Sequence, residues 1–202
     1  YSSGFDTRLP WILRCESHIF TTEAVAMFFG RLSKNSTWLQ AFVGADSAKA
    51  GEIDASTRKL LRAEQLIFSR WAQVMVRFEK ELYSNPEQDL SGLWWGLKAK
   101  YQLLNPPDGV LGPDFAAKIH VATVPVYYHN YALGESLASQ FTEALSLSGI
   151  PLDTVARGFD GVGKWFREEV FSHGSLLPWR ELVQSSTGHA LSPAAFARQF
   201  LS

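Results

Sequence analysis

An all-α fold of long packed helices is what this sequence predicts, and two observations carry the expectation. Apolar residues recur at three- and four-residue spacing along most of the chain, and no run alternates apolar with polar residues in the manner of a half-buried strand. Prolines and small polar residues then punctuate the periodic segments, so each helix has a place to stop.

The first helix lies in HIFTTEAVAMFFGRL, His18 to Leu32. At 100° per residue, Ile19, Phe20, Ala26, Met27 and Gly30 fall on one stripe, with Glu23 in its middle. NSTWLQAFV predicts a short second helix, and ADSAKAGEID, rich in small and polar residues, a loop. From Ala55 to Tyr83, Leu60, Leu61, Ile67, Phe68, Trp71, Val74, Met75, Phe78 and Leu82 define one long helix with an apolar stripe. SNPEQD breaks it, Pro86 being suited to a first helical turn. LSGLWWGLKAKYQLL is a further helix, ended by Pro106–Pro107, and DGVLGPDF is a loop. A helix then runs from about Val126 to Ser148, stopped by Gly149 and Pro151. Two or three shorter helices close the chain, the last with Ser192 as N-cap and Pro193 at its first position. With no repeat, low-complexity linker or internal boundary in view, residues 1–202 read as a single all-α domain.

Composition narrows the function classes. Of the 202 residues 46% are hydrophobic and 19% charged, an ordinary globular balance, and seven tryptophans with fourteen phenylalanines predict an aromatic-rich interior. A net charge of −1 gives no electrostatic footprint for nucleic acid or an anionic membrane. No stretch approaches the ~18 apolar residues that a membrane-spanning helix needs. Cys15 is the single cysteine, which rules out an internal disulfide or a thiolate cluster. It stands three residues before His18, a weak version of a thiol–imidazole couple. Neither a glycine-rich phosphate loop nor a Gly-x-Ser-x-Gly elbow is present.

Two places concentrate chemistry. A carboxylate on an inward stripe is costly unless a basic side chain or a metal ion answers it, and both options are open for Glu23. The second place is AKIHVATVPVYYHNYALGE, where Lys118 and His120 precede a helix carrying Tyr127, Tyr128, His129 and Tyr131. Tyr128 and Tyr131 are three apart, so their phenols share a helix face. Phenols beside an imidazole and an ammonium can hold a carboxylate and a developing oxyanion; the same tyrosines also serve as amphipathic core aromatics. No histidine pair at helical spacing completes a zinc site within the chain.

Read together, LPWILRCESHIFTTEAVAM, LWWGLKAKYQLLNPP, AKIHVATVPVYYHNYALGE and GKWFREEVFSHGSLLPWRELVQSSTGHALSPAAF resemble, in order and spacing, the C-terminal part of the zinc peptidases related to angiotensin-converting enzyme. The likeness to the thimet oligopeptidase and oligoendopeptidase group is looser. The resemblance implies a zinc-dependent peptidyl-dipeptidase or oligopeptidase that hydrolyses short peptides, with Glu23 as the glutamate ligand of one zinc ion. His120 would hydrogen-bond the substrate backbone, Tyr131 would steady the tetrahedral oxyanion, and Tyr128 with Lys118 would hold the C-terminal carboxylate. These assignments place one extra residue between His120 and the tyrosines; a gapless match selects Tyr127 and puts Asn130 in the oxyanion role.

The departures are informative. The His-Glu-x-x-His helix, with two zinc ligands and the general base, is absent from the chain and is expected in the preceding part of the same protein. The acidic residue four after the ligand glutamate is Met27, a histidine just before it is Thr22, and an arginine near the tyrosines, tied to chloride sensitivity in some members, is His129. The chain by itself is therefore expected to be unable to hydrolyse peptides. Secreted and membrane-tethered members of the family point to an extracytoplasmic location. A non-catalytic helical peptide-binding module, or a plain scaffold with Glu23 salt-bridged, are the readings from other classes.

Overall fold

Helices form throughout the described part of the chain, and no strand occurs among the described residues, as the periodicity predicts. The computed structural model describes residues 1, 3–109, 112–150 and 160–201. The expected stop at Pro151 and the centre of the DGVLGPDF loop lie outside them. Two compact units emerge: Tyr1–Leu61 with Leu133–Ser202, and Arg62–Ala132.

In the larger unit, α1 (Ile19–Leu32) starts where His18 Nδ1 accepts the Phe20 N–H at 3.3 Å. That caps a free helix end and makes His18 a cap, whereas Cys15 donates to Ser175 Oγ at 3.3 Å. The buried residues of α1 are Phe20, Thr21, Ala24, Val25, Phe28 and Leu32. Ala26 and Gly30, expected inside, are exposed, and Ile19, Glu23 and Met27 are half-buried. The inward stripe is thus rotated, and Glu23 sits on its flank. The helix is apolar around most of its circumference, so spacing alone leaves two faces open. Distant partners decide between them, among them Phe166, whose ring lies 5.0 Å from that of Phe28.

After α1 comes a short α-helical turn, α2 (Ser36–Trp38), continued by a π-helical turn at Leu39–Val43. Asn35 Oδ1 caps it by accepting the Trp38 N–H at 3.0 Å. The segment expected to be a loop then enters α3 (Ser47–Ser84), 38 residues long. Asp46 Oδ1 accepts the Lys49 N–H at 2.9 Å, so an aspartate read as a loop residue is a helix cap, and the alanines, lysine and glutamate behind it are good helix formers.

The later part of α6 (His129–Leu147) packs against α1 in this unit. Gly134 allows the approach: a Cβ there would lie 3.0 Å from Glu23 Cβ and 3.2 Å from the Ala24 backbone nitrogen. Arg31 reaches across to Glu135, donating to both its carboxylate and its carbonyl oxygen, the latter at 3.1 Å, and to Ser139 Oγ at 3.1 Å. Burial pushes the Arg31 guanidinium below its ordinary pKa, opposed by the Glu135 charge. Gly149 ends α6 at φ 73°, with the Ile150 N–H donating to Leu145 O at 2.9 Å and the Gly149 N–H to Ser146 O at 3.1 Å. Then follow α7 (Asp160–Phe166), a π-helical turn at Arg167–Phe171, α8 (Trp179–Thr187) and α9 (Ala194–Phe200). Ser192 Oγ accepts the Ala194 N–H at 3.2 Å, but α9 starts at Ala194 with Pro193 in the N-cap position, one residue later than expected. Gln140 ties the α8–α9 connection to α6 through Ala190 O and the Ser192 N–H, both at 3.1 Å.

The smaller unit has its own core of Val74, Met75, Phe78 and Trp94. Trp94 is edge-on to Trp71 at 5.7 Å and to Phe78 at 5.1 Å. It lies on α4 (Leu90–Gln102), which Asp89 caps by accepting the Gly92 N–H at 2.8 Å. Pro86 stands in the preceding turn and not in a helix, because Asp89 offers the stronger start. The helix ends before its prolines, at Leu103 in the left-handed conformation with φ 60°. A 3₁₀ turn at Asp114–Ala117 and the single-turn α5 (Ile119–Ala122) lead to the tyrosine segment.

Candidate functional site

In the smaller unit the structure gathers His120, Tyr128 and Tyr131 into one cluster, by a route different from the one the spacing suggests. The helix expected from about Val126 begins at His129, so Tyr127 and Tyr128 lie in the turn before it and only Tyr131 is helical. Val126, with φ 54°, forces the change of direction. A β-branched residue in that region costs on the order of 1–3 kcal/mol, held here by the surrounding fold. The tyrosines therefore meet through a tight turn. The Tyr128 and Tyr131 rings are 5.2 Å apart, and His120, on α5, lies 5.0 Å from Tyr128 and 5.6 Å from Tyr131.

Hydrogen bonds orient the polar atoms. His120 Nε2 and the Tyr131 hydroxyl are 3.1 Å apart. In the tautomer with a proton on Nε2 the imidazole donates to the phenol oxygen, and in the other the phenol donates to Nε2. The Trp71 indole N–H donates to the Tyr128 hydroxyl. An indole can only donate, so the Tyr128 oxygen accepts and its own hydrogen remains to be given elsewhere. Burial holds the Tyr128 phenol above its ordinary pKa, against the Trp71 bond, which favours the ionised form. Two phenols thus stand side by side, each hydrogen-bonded to a ring nitrogen.

Lys118 is exposed, with its ammonium 5.0 Å from the centre of the Trp71 ring. Lys98 lies over Trp95 at 4.4 Å, and burial together with the Lys118 charge pulls its pKa below the ordinary lysine value. The sequence pattern marks Trp71 only as a core residue and gives no sign of Lys98. The polar end of a stripe tryptophan, which needs a partner when buried, is the signal that was available. Asn130, the alternative oxyanion residue, is buried at 3% exposure, with Oδ1 unpartnered among the described residues.

Glu23 belongs to the larger unit, half-buried on the flank of α1 beside Gly134. Among the described residues no group of three or more His, Cys, Asp or Glu side chains is placed to hold a metal ion. A single carboxylate is what α1 offers, and the described residues do not complete a metal centre. Met27, at the position where the resembled family has an acid, packs beside Gly134 through its sulfur. No helix among the described residues is long and apolar enough to cross a membrane.

Residues 121–202 match the family model described as carboxypeptidase Taq (M32) metallopeptidase. Over 114 residues the chain is 38% identical to angiotensin-converting enzyme-like protein Ace3 of Mus musculus, an alignment that covers 53% of this chain and 15% of that protein. Two solved structures share the fold over 100% of the chain. They are the BsuCP crystal structure, with a TM-score of 0.72, 21% identity and 45% of its chain covered, and M32 carboxypeptidase from Deinococcus radiodurans R1, with 0.71, 17% and 46%. The chain spans less than half the length of both structures and a far smaller share of the mouse relative. The sequence likeness to a metallopeptidase family therefore lies in residues 121–202, and the two solved structures share the all-α fold.

Proposed function

We propose that the full-length protein is a zinc metallopeptidase acting at the C-terminal end of short peptides, with this chain as its substrate-binding and oxyanion-stabilising part. The observation that carries the reading is the cluster of His120, Tyr128 and Tyr131, an imidazole and two phenols each hydrogen-bonded to a ring nitrogen, at the start of a segment that matches a metallopeptidase family. In this role Tyr131 donates to the oxyanion of the attacked carbonyl, and His120 supports it through Nε2. Tyr128 and Lys118 take the terminal carboxylate, the phenol as a hydrogen-bond donor and the ammonium as a point charge.

Glu23 would supply one carboxylate to a zinc ion whose remaining ligands would come from elsewhere in the protein, and that ion would supply Lewis-acid activation of water. The finer reading is release of a C-terminal dipeptide. Its support is the resemblance of the Lys118–Tyr131 segment to the angiotensin-converting-enzyme type, set against the carboxypeptidase match over residues 121–202.

The test uses the full-length protein with free and C-terminally amidated peptides, products being read by mass spectrometry. Cleavage of the free peptides alone, and a loss of about 10²–10³ in kcat for Y131F with zinc content and fold retained, are expected. Single released residues would replace the dipeptidase reading with a carboxypeptidase one. Peptide binding without hydrolysis by the zinc-loaded protein would favour the binding module.

A further inference from the structure

We propose that Glu79 is a positioning residue for the phenolic donors, acting as a clamp on the turn that delivers them. The inference rests on the function proposed for Tyr131. Glu79 is on α3, 8% exposed, and the sequence pattern assigns it no role. Its Oε1 accepts the backbone N–H of Val126, 47 residues further along the chain, and also the hydroxyl of Tyr83 at 3.3 Å. Val126 is the residue with φ 54°, and it is 61% exposed. Side-chain packing therefore does little to hold Val126 in a conformation that a β-branched residue rarely adopts, whereas its amide is held by a nearly buried carboxylate.

Everything between Val126 and Tyr131 follows from that bond. The next two residues are Tyr127 and Tyr128, and the Asn130 N–H donates to Tyr127 O at 2.9 Å to open α6. Tyr131 then stands one helical residue on, 3.1 Å from His120 Nε2. If the Val126 amide lost its acceptor, the backbone could relax to negative φ, turning Tyr127 and Tyr128 and shifting the start of α6. The phenol oxygens would then leave their places beside Trp71 and His120. A charged acceptor suits the task because a carboxylate–amide hydrogen bond is about twice as strong as a neutral one.

The test compares E79A and E79Q in the full-length protein, because glutamine keeps an acceptor oxygen and alanine does not. Amide hydrogen exchange at Val126 is expected to quicken at least tenfold in E79A and to stay within threefold of the parent in E79Q, with unfolding cooperative in both. In peptide hydrolysis, kcat/KM should fall ten- to a hundredfold in E79A and recover to within threefold in E79Q. In a Y131F background, E79A should cost less than a further twofold, since Glu79 acts through the phenol. Unchanged exchange at Val126 in E79A, equal effects of the two variants, or full additivity with Y131F would overturn the proposal. A parent protein that cleaves no peptide would defeat the proposed function instead, and the exchange comparison alone would then decide the clamp.

Discussion

Replacing Gly134 by alanine tests the close approach of α1 and α6 beside Glu23. Two opposing effects set the outcome. Alanine in a helix interior is favoured over glycine by about 1 kcal/mol, so an unobstructed site should gain from the change. At Gly134 the added methyl would stand 3.0 Å from Glu23 Cβ, 3.2 Å from the Ala24 backbone nitrogen and 3.2 Å from Met27 Sδ. The methionine can swing away, but the first two contacts belong to a helix held by buried Phe20, Ala24 and Phe28. Inserting a methylene into such packing costs about 1–3 kcal/mol, so G134A should be destabilising by roughly 1 kcal/mol net. Gly30 is the internal control. It lies on the exposed side of α1, and a Cβ there meets nothing within 4 Å, so G30A should stabilise by about 0.4–1 kcal/mol. Chemical denaturation of the full-length protein should therefore separate the two alanines by about 1–3 kcal/mol, in opposite directions from the parent. If G134A matched G30A, the contact between α1 and α6 would not be as close as described.

Three other outcomes follow from the same structure. E135A should destabilise by about 3–5 kcal/mol in denaturation, because it strands the buried Arg31 guanidinium, whereas E143A, which removes the exposed partner of Arg198, should cost less than about 1 kcal/mol. The hydrogen bonds from Arg198 hold the Glu143 carboxyl below the ordinary value of 4.5, so its contribution is present above that pH and is lost as pH falls through the lowered value; the small stability gap between the parent and E143Q should close on acidification, as a pH series of denaturation midpoints would read. The 202-residue chain on its own should take up no stoichiometric zinc in equilibrium dialysis and release no product from peptides, whereas E23Q in the full-length protein should lower zinc content with the fold retained; unchanged zinc content in E23Q would remove Glu23 from the ligand set.

Helical character, the stop at Gly149, a last helix opening just after Ser192, and the chemical concentration between Lys118 and Tyr131 were all legible in the sequence, because each depends on residues near in the chain. A 3.6-residue period, a glycine at positive φ and a serine ahead of a first helical turn act locally. The face of α1 was not legible. Its residues are apolar on both sides, and partners more than a hundred residues away, Phe141 and Phe166 among them, choose the buried one. Nor was the way Tyr128 reaches Tyr131. Spacing put both on a helix face, whereas the structure brings them together through the strained turn at Val126, which a carboxylate from α3 holds. Sequence by itself therefore determined which helices form and which side chains carry chemistry. Tertiary structure alone decided which faces are buried and how the phenols are aimed, because those choices rest on contacts and hydrogen bonds between residues that the chain keeps far apart.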